Sequence, residues 1–428
     1  MVGDCTLLIR AFDADTTYLS YRWLDDPENP VVHAVTAEER SVLLAPLAAG
    51  LIAGDLDDQV RRAVTGPLTR RDDEAALSRA LGRGLLPDSV IDGLRARSAR
   101  VGPPRVSVRI TPSRALARVP WELLAVHDDE RLIESATVQY EPPAAIHVGR
   151  RALPEPWERV ADKPVCYLVD PELPAGSGLG QVVTGTKDED EFQRRISLRE
   201  HTLISGIGET VHRWELAEEL GAGVRRLFYF GHVSTTLDQP GSSSLHLSDS
   251  AREWGLAEPM NSAHRPLSAL DLFAGTATPE HGPDDAVPQE VGKSGAELWP
   301  MPPRVAVIAC EGGADYRSAE IFGLVTAMFT AGAEVVTTTR WPLPTDTAFR
   351  ELAGVARVPG PTVELALAVD RIHELADPVA GLAEWQRDKL AQWRAAPGPA
   401  TSPLTWAAIG NHVCPVREVR TPEPESVR

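Results

Sequence analysis

Three runs in this chain contain an unbroken apolar stretch: PVCYLVD (164–170), VRRLFYF (224–230) and RVAVIA (304–309). A fourth, EVVTTTR (334–340), is β-branched throughout its centre. A strand with one buried face alternates apolar and polar residues, whereas a run apolar on every residue must bury both faces. Helical patterns separate the runs. WELAEEL (214–220) precedes the second, and SAEIFGLVTAMFTAG (318–332) lies between the last two and closes near Gly332, the residue type that ends helices in a left-handed turn. Strand, helix, strand repeated in this way predicts an α/β fold with a mostly parallel central sheet flanked by helices.

Residues 1–100 read differently. TLLIRAF (6–12) and TTYLSYRWL (16–24) suggest two strands, and helical patterns follow at 37–53, 72–86 and 88–98. Thr36 with Glu39 three residues later makes a capping box for the first of these helices. The composition changes near Gly102–Pro104, and RVSVRI (105–110) opens the strand-rich part. The expected organisation is a smaller mixed or helical N-terminal region over 1–100, an α/β domain over 101–415, and a flexible tail over 416–428. Three stretches read as loops: 171–185, 238–266 and 275–303, all rich in Gly, Pro or Ser. Loops of that length inside a compact domain are usually functional or disordered.

Composition removes several classes of function. A formal net charge of −18 argues against a nucleic-acid surface and favours basic partners. The four cysteines, Cys5, Cys166, Cys310 and Cys414, are scattered with no paired spacing, which argues against a zinc site and against a disulfide framework. No segment has the length and apolarity of a membrane span, and the N-terminus lacks the pattern of a secretory signal, so a reducing cytoplasm is expected.

One constellation carries chemistry. His232 and Cys310 each follow directly on an apolar strand, in VRRLFYF-G-H and RVAVIA-C-E-G-G. Sites in open α/β sheets form at the carboxyl ends of strands, so neighbouring strand ends can join an imidazole to a thiol that are distant in sequence. A nearby imidazole converts a thiol into the thiolate nucleophile and returns the proton to the leaving amine. Gly231 lets the chain turn as it leaves its strand, and Gly312 and Gly313 leave room and free amides for a substrate backbone. A buried structural cysteine and a satisfied structural histidine are the competing reading of the same residues. The glycines at 176, 178 and 180 lack the helix and Lys-Ser/Thr of a phosphate loop, and Ser234 and Ser244 lack a nucleophile-elbow motif.

Five ordered motifs sharpen this reading. ALARVPWELL (115–124), FYFGHVS (228–234), VAVIACEGG (305–313), LVTAMFTAGAEVVTTTRWPLPTD (324–346) and TWAAIGNHV (405–413) together resemble the CHAT domain, a bacterial caspase-like family related to separase. The resemblance covers roughly residues 105–413 and leaves the first hundred residues without a recognised motif. It implies a caspase-like cysteine endopeptidase with Cys310 as nucleophile, His232 as base and the amides of Val233 and Cys310 as the oxyanion hole. Gly231, Glu311, Gly312, Trp341 and Asp346 would lie along the substrate, Trp341 as an apolar wall and Asp346 as an acid for a basic side chain. The competing expectations are core packing for Trp341, N-capping of the TAFREL helix for Asp346, and a surface or supporting position for Glu311. No metal or organic cofactor is implied. The family also implies a specific protein substrate and a protein activator, in bacterial signalling or defence. One departure stands out: the family has glycine after the histidine, and this chain has Val233, which resists a positive φ. A weakened or inactive scaffold that binds partners is therefore the alternative, and activation is expected through a partner or through reordering of the 171–185 and 275–303 loops.

Overall fold

A computed structural model describes residues 5–52, 57–101, 106–183, 185–198, 201–202, 207–235, 239–276, 292–309 and 323–414. The strands in chain order are β1 (Thr6–Asp13), β2 (Thr17–Trp23), β3 (Asp26–Val35), β4 (Val106–Thr111), β5 (Ala125–His127), β6 (Glu130–Arg131), β7 (Ala136–Tyr140) and β8 (Val165–Val169). They continue as β9 (His201–Thr202), β10 (Arg226–Gly231), β11 (Val233–Ser234), β12 (Ser244–Leu245), β13 (Leu267–Ser268), β14 (Arg304–Ala309), β15 (Val335–Thr339) and β16 (Ile409–Val413). Eleven of them form one sheet in the order β3-β2-β1-β4-β7-β16-β15-β14-β10-β8-β9. The pairings are parallel except at β1–β2, β2–β3 and β15–β16. The sheet is thus mostly parallel, as expected, and the antiparallel β15–β16 pair is a seam where strand direction reverses. On one side of the seam β8, β10, β14 and β15 all send their carboxyl ends to the same edge.

The apolar runs are explained by two cores. Val165, Tyr167, Val169, Phe228, Phe230, Ala306 and Ile308 face one hydrophobic cluster. The residues between them, Cys166, Leu168, Leu227, Tyr229, Val305 and Val307, face the other. Helices cover both faces, so none of these residues meets water. At the opposite end β2 alternates buried and exposed residues, because one of its faces is open.

The first hundred residues join the same sheet. β1 pairs in parallel with β4, and Leu7, Leu47 and Leu81 share a core cluster with Trp341 and Trp406. Helices Ala37–Ala49, Arg71–Leu85 and Asp88–Val101 match the three helical patterns, and Thr36 and Glu39 form the capping box. The first helix stops at Gly50, short of the expected residue 53. β3 escaped the sequence reading because it carries Pro27 and Pro30, which a sheet tolerates at an edge strand where an N–H has no partner to serve. Helices Pro361–Ile372 and Pro378–Ala395 were also unforeseen; each starts with proline at its first turn, and Asp377 caps the second by accepting from Val379 N and Ala380 N. Of the helix expected over 318–332, Leu324–Thr330 is described, and Gly332 follows it at φ +122 as the pattern required. Among the described residues no helix is long and apolar enough to cross a membrane.

Candidate active site

The last registered pair of β10 and β14 is Gly231 with Ala309. His232 therefore leaves one strand at the sheet edge where the neighbouring strand leads into Cys310. Cys310, Glu311 and Gly312 lie outside the described residues, as do Gly313 and the loop residues 277–291.

Three bonds hold His232. Its Nε2 lies 2.6 Å from the carbonyl oxygen of Gly180. A carbonyl only accepts, so Nε2 carries the proton and Nδ1 is the basic nitrogen. Its own carbonyl accepts from the Tyr229 hydroxyl at 2.5 Å and from His246 N at 3.2 Å. The tyrosine also explains Gly231: a Cβ there would stand 2.8 Å from the Tyr229 hydroxyl, so the residue before the histidine has to be the smallest one. Sequence reasoning had assigned Gly231 to a turn; the close approach of a side chain from the same strand is what demands it.

The loop that supplies the Gly180 carbonyl is itself anchored. Asp170 follows β8 at φ +48, a left-handed conformation that aspartate tolerates. Its carboxylate accepts from Val182 N and Val183 N, both at 2.9 Å. Burial pushes the Asp170 carboxyl up, against the two amides and the nearby His232, which pull it down. Gly176 and Gly178 take positive φ on the way round, and Asn261 donates to the Ser177 carbonyl at 2.8 Å. The glycine stretch that resembles a phosphate loop is thus the arm that orients His232. Asp170, Gly180 and Tyr229 were not foreseen as supports, although Asp170 at a strand end and the glycine spacing were the available signals.

The other candidates separate. Val233 opens β11 and pairs with Leu245; among the described residues it is not one with positive φ. Trp341 is fully buried in the core, with its indole N–H donated to the Leu404 carbonyl at 2.9 Å. Asp346 is buried as well. Thr345, not Asp346, caps the helix Asp346–Ala353, and the Asp346 carboxylate instead accepts from Thr362 N and Val363 N at the start of the helix Pro361–Ile372. The expected capping role was right in kind and wrong in helix, because the chain folds back and brings a second N-terminus onto the same carboxylate. The structure brings Gly231, His232 and Val233 together at the sheet edge and leaves Trp341 and Asp346 in the core.

The motif residues away from the edge bind one another. The buried Arg340 guanidinium meets the Glu122 carboxylate at 2.7 and 3.0 Å, and also donates to Ile409 O at 3.1 Å. Tyr140 donates to the same carboxylate at 3.1 Å. Three of the five sequence motifs, around Trp121, Trp341 and Trp406, therefore form one buried block. Among the described residues no group of His, Cys, Asp and Glu is placed to hold a metal. His412 packs against the Tyr140 ring, while Cys414 Sγ lies 3.3 Å from His147 Nδ1.

Among solved structures, the chain is similar to the Arg-specific cysteine proteinase gingipain R (RgpB), at 10% identity and TM-score 0.41, over 77% of this chain and 67% of that one. The RgpB pro- and mature-domain complex of Porphyromonas gingivalis matches at 9% identity and TM-score 0.41, over 78% and 70%. The Saccharomyces cerevisiae separase–securin complex matches at 8% identity and TM-score 0.49, over 95% of this chain but only 30% of that one. Among curated proteins none matches. The family model for the CHAT domain aligns with residues 75–411, a span that contains the histidine edge, the strand leading to Cys310 and the whole buried motif block, and the chain belongs to the CHAT domain family.

Proposed function

We propose that the chain is a cysteine endopeptidase acting through a Cys310–His232 dyad. The observation that supports this best is the fixed tautomer of His232. The Gly180 carbonyl holds Nε2–H, so Nδ1 is presented as a base at the edge where β14 runs into Cys310. The thiol proton passes to Nδ1, the thiolate attacks the scissile carbonyl, and the amides of Val233 and Cys310 receive the oxyanion. The protonated imidazole then gives its proton to the leaving amine, and water hydrolyses the thioester. The substrate is a specific protein and the activator a second protein, in bacterial signalling or defence, within the cytoplasm. Gly231, Glu311 and Gly312 remain candidates for backbone contacts to the substrate. Trp341 and Asp346, with their polar atoms engaged inside the fold, support the substrate region from behind. Residues 1–100 form the N-terminal mixed region, attached through the β1–β4 pairing, and 416–428 a tail outside the catalytic domain.

Mapping new N-termini in a genomic-neighbour protein after incubation with the wild type and with Cys310→Ala tests the reading. Cleavage by the wild type and none by the variant is expected. The same fragments from both would leave a partner-binding scaffold of the CHAT family.

A further inference from the structure

Two residues beyond His232, a chain of hydrogen bonds runs inward from the protein surface. The Ser234 hydroxyl lies 2.9 Å from His246 Nε2, His246 Nδ1 lies 3.0 Å from His264 Nε2, and His264 Nδ1 lies 2.7 Å from the Asp249 carbonyl oxygen. The carbonyl end fixes every proton in the row. It can only accept, so His264 carries its proton on Nδ1 and accepts at Nε2. His246 must then donate from Nδ1, which leaves its Nε2 as an acceptor, and the Ser234 hydroxyl donates to it. Burial, and then the neighbouring His264 and His232, hold His246 well below the ordinary imidazole range, so it is the neutral base throughout neutral pH.

Ser234 also lines a cavity of about 460 Å³. Three of the other hydroxyls on its wall are committed elsewhere: Thr235 meets Ser243, Ser244 donates to Ser242 O, and Ser268 donates to Asp271. Among the described residues lining the cavity, Ser234 is the one whose hydroxyl is bonded to an imidazole. Leu256, Met260, Pro266 and Leu270 give the cavity an apolar side, and Glu258 disfavours an anion.

We propose that Ser234 is a second nucleophile of this protein, with His246 as its base and His264 as the group that orients the base, and that the cavity takes a neutral acyl ester with a short apolar chain. The Oγ–acyl bond forms as the ester C–O bond breaks. The hydroxyl proton passes to His246 Nε2 and from there to the departing alkoxide. Water then attacks the seryl ester and restores the hydroxyl, so no other reactant is consumed. Cys310 has no part in these steps, and the site stands whether or not the thiol cleaves peptides.

A fluorophosphonate probe tests this directly, since Oγ–P bond formation with loss of fluoride reports an activated serine. The full chain carrying Cys310→Ala, which removes the competing thiol, is treated at pH 7.5, and adducts are located by tandem mass spectrometry. An adduct at Ser234 is expected, absent in the same chain carrying S234A, and formed at least about tenfold more slowly with H246N, in line with the loss of a general base. The same reaction on the urea-unfolded chain needs no histidine variant and should show at least about a tenfold loss as well. Absence of a Ser234 adduct on the folded chain, or a rate no faster than in urea, overturns the proposal.

Discussion

The chemistry at single residues turns on which thiols can ionise. Cys166 is fully buried, and burial pushes its thiol up to about 12; Cys414 is pushed up to about 11 for the same reason. Cys5 is buried too. Since the thiolate is the reacting species, Cys166 and Cys414 are poor targets at neutral pH, and Cys5 is shielded by its burial. Iodoacetamide at pH 7.5 is therefore expected to label Cys310 alone in the folded protein. Peptide mapping checks it, and prior modification of Cys166 or Cys414 would contradict the burial described here. Legibility at this scale is uneven. His232 was readable because an apolar strand ending in Gly-His marks a strand-end position. Tyr229 and Gly180 were not, because a hydroxyl that clamps a carbonyl three residues on, and a carbonyl that fixes a tautomer from 52 positions away, leave no spacing rule in the sequence.

Between elements, the loop after β8 and the end of β10 work as one unit joined by Asp170. The carboxylate satisfies the amides of Val182 and Val183 beside the carbonyl that holds His232. Asp170→Ala strips two buried amides of their acceptor, at a cost of about 1–3 kcal/mol. It should also release the arm, so that His232 populates both neutral tautomers. Long-range nitrogen–proton NMR of the imidazole is the readout: a single Nε2–H form in the wild type and a mixture in the variant. A variant that keeps the single form would show that Gly180 is held by other contacts. The strand assignments at this scale were legible because both faces of β8, β10 and β14 are buried and leave an unbroken apolar record. Helices Pro361–Ile372 and Pro378–Ala395 were missed because they were never marked by the strand periodicity on which the reading relied, although proline at the first turn was visible at each.

Across the whole molecule, the fold is held by charges and histidines placed far from water. Glu122 and Arg340 are both buried and come from opposite sides of the sheet seam. Glu122→Ala leaves the guanidinium without its partner, and losses of about 3–5 kcal/mol are typical of breaking such a pair from one side. The urea midpoint measures it, and a loss under about 1 kcal/mol would mean the arginine finds water. The histidines make stability depend on pH. Burial, reinforced by nearby arginines, holds His373 and His412 down to about 3, against 6.5 for an ordinary imidazole. Between these values the unfolded chain binds protons that the folded chain refuses, so stability is complete above about pH 6.5 and falls as the pH drops toward 3, by about 1.4 kcal/mol per unit for each such group. Urea midpoints at pH 7.5, 6 and 4.5 should descend in that order. By itself the sequence determined the α/β class, the strands that bury both faces, the family, and the two strand ends that carry His232 and Cys310. These are local matters of apolar pattern and residue type. The tertiary structure decided which motif residues hold the fold and which face the edge. It sent Trp341 and Asp346 inward, placed Arg340 on Glu122, fixed the proton on His232 Nε2, and aligned Ser234, His246 and His264. Each of those outcomes depends on groups brought within about 3 Å across long stretches of chain, a distance that no one-dimensional pattern encodes.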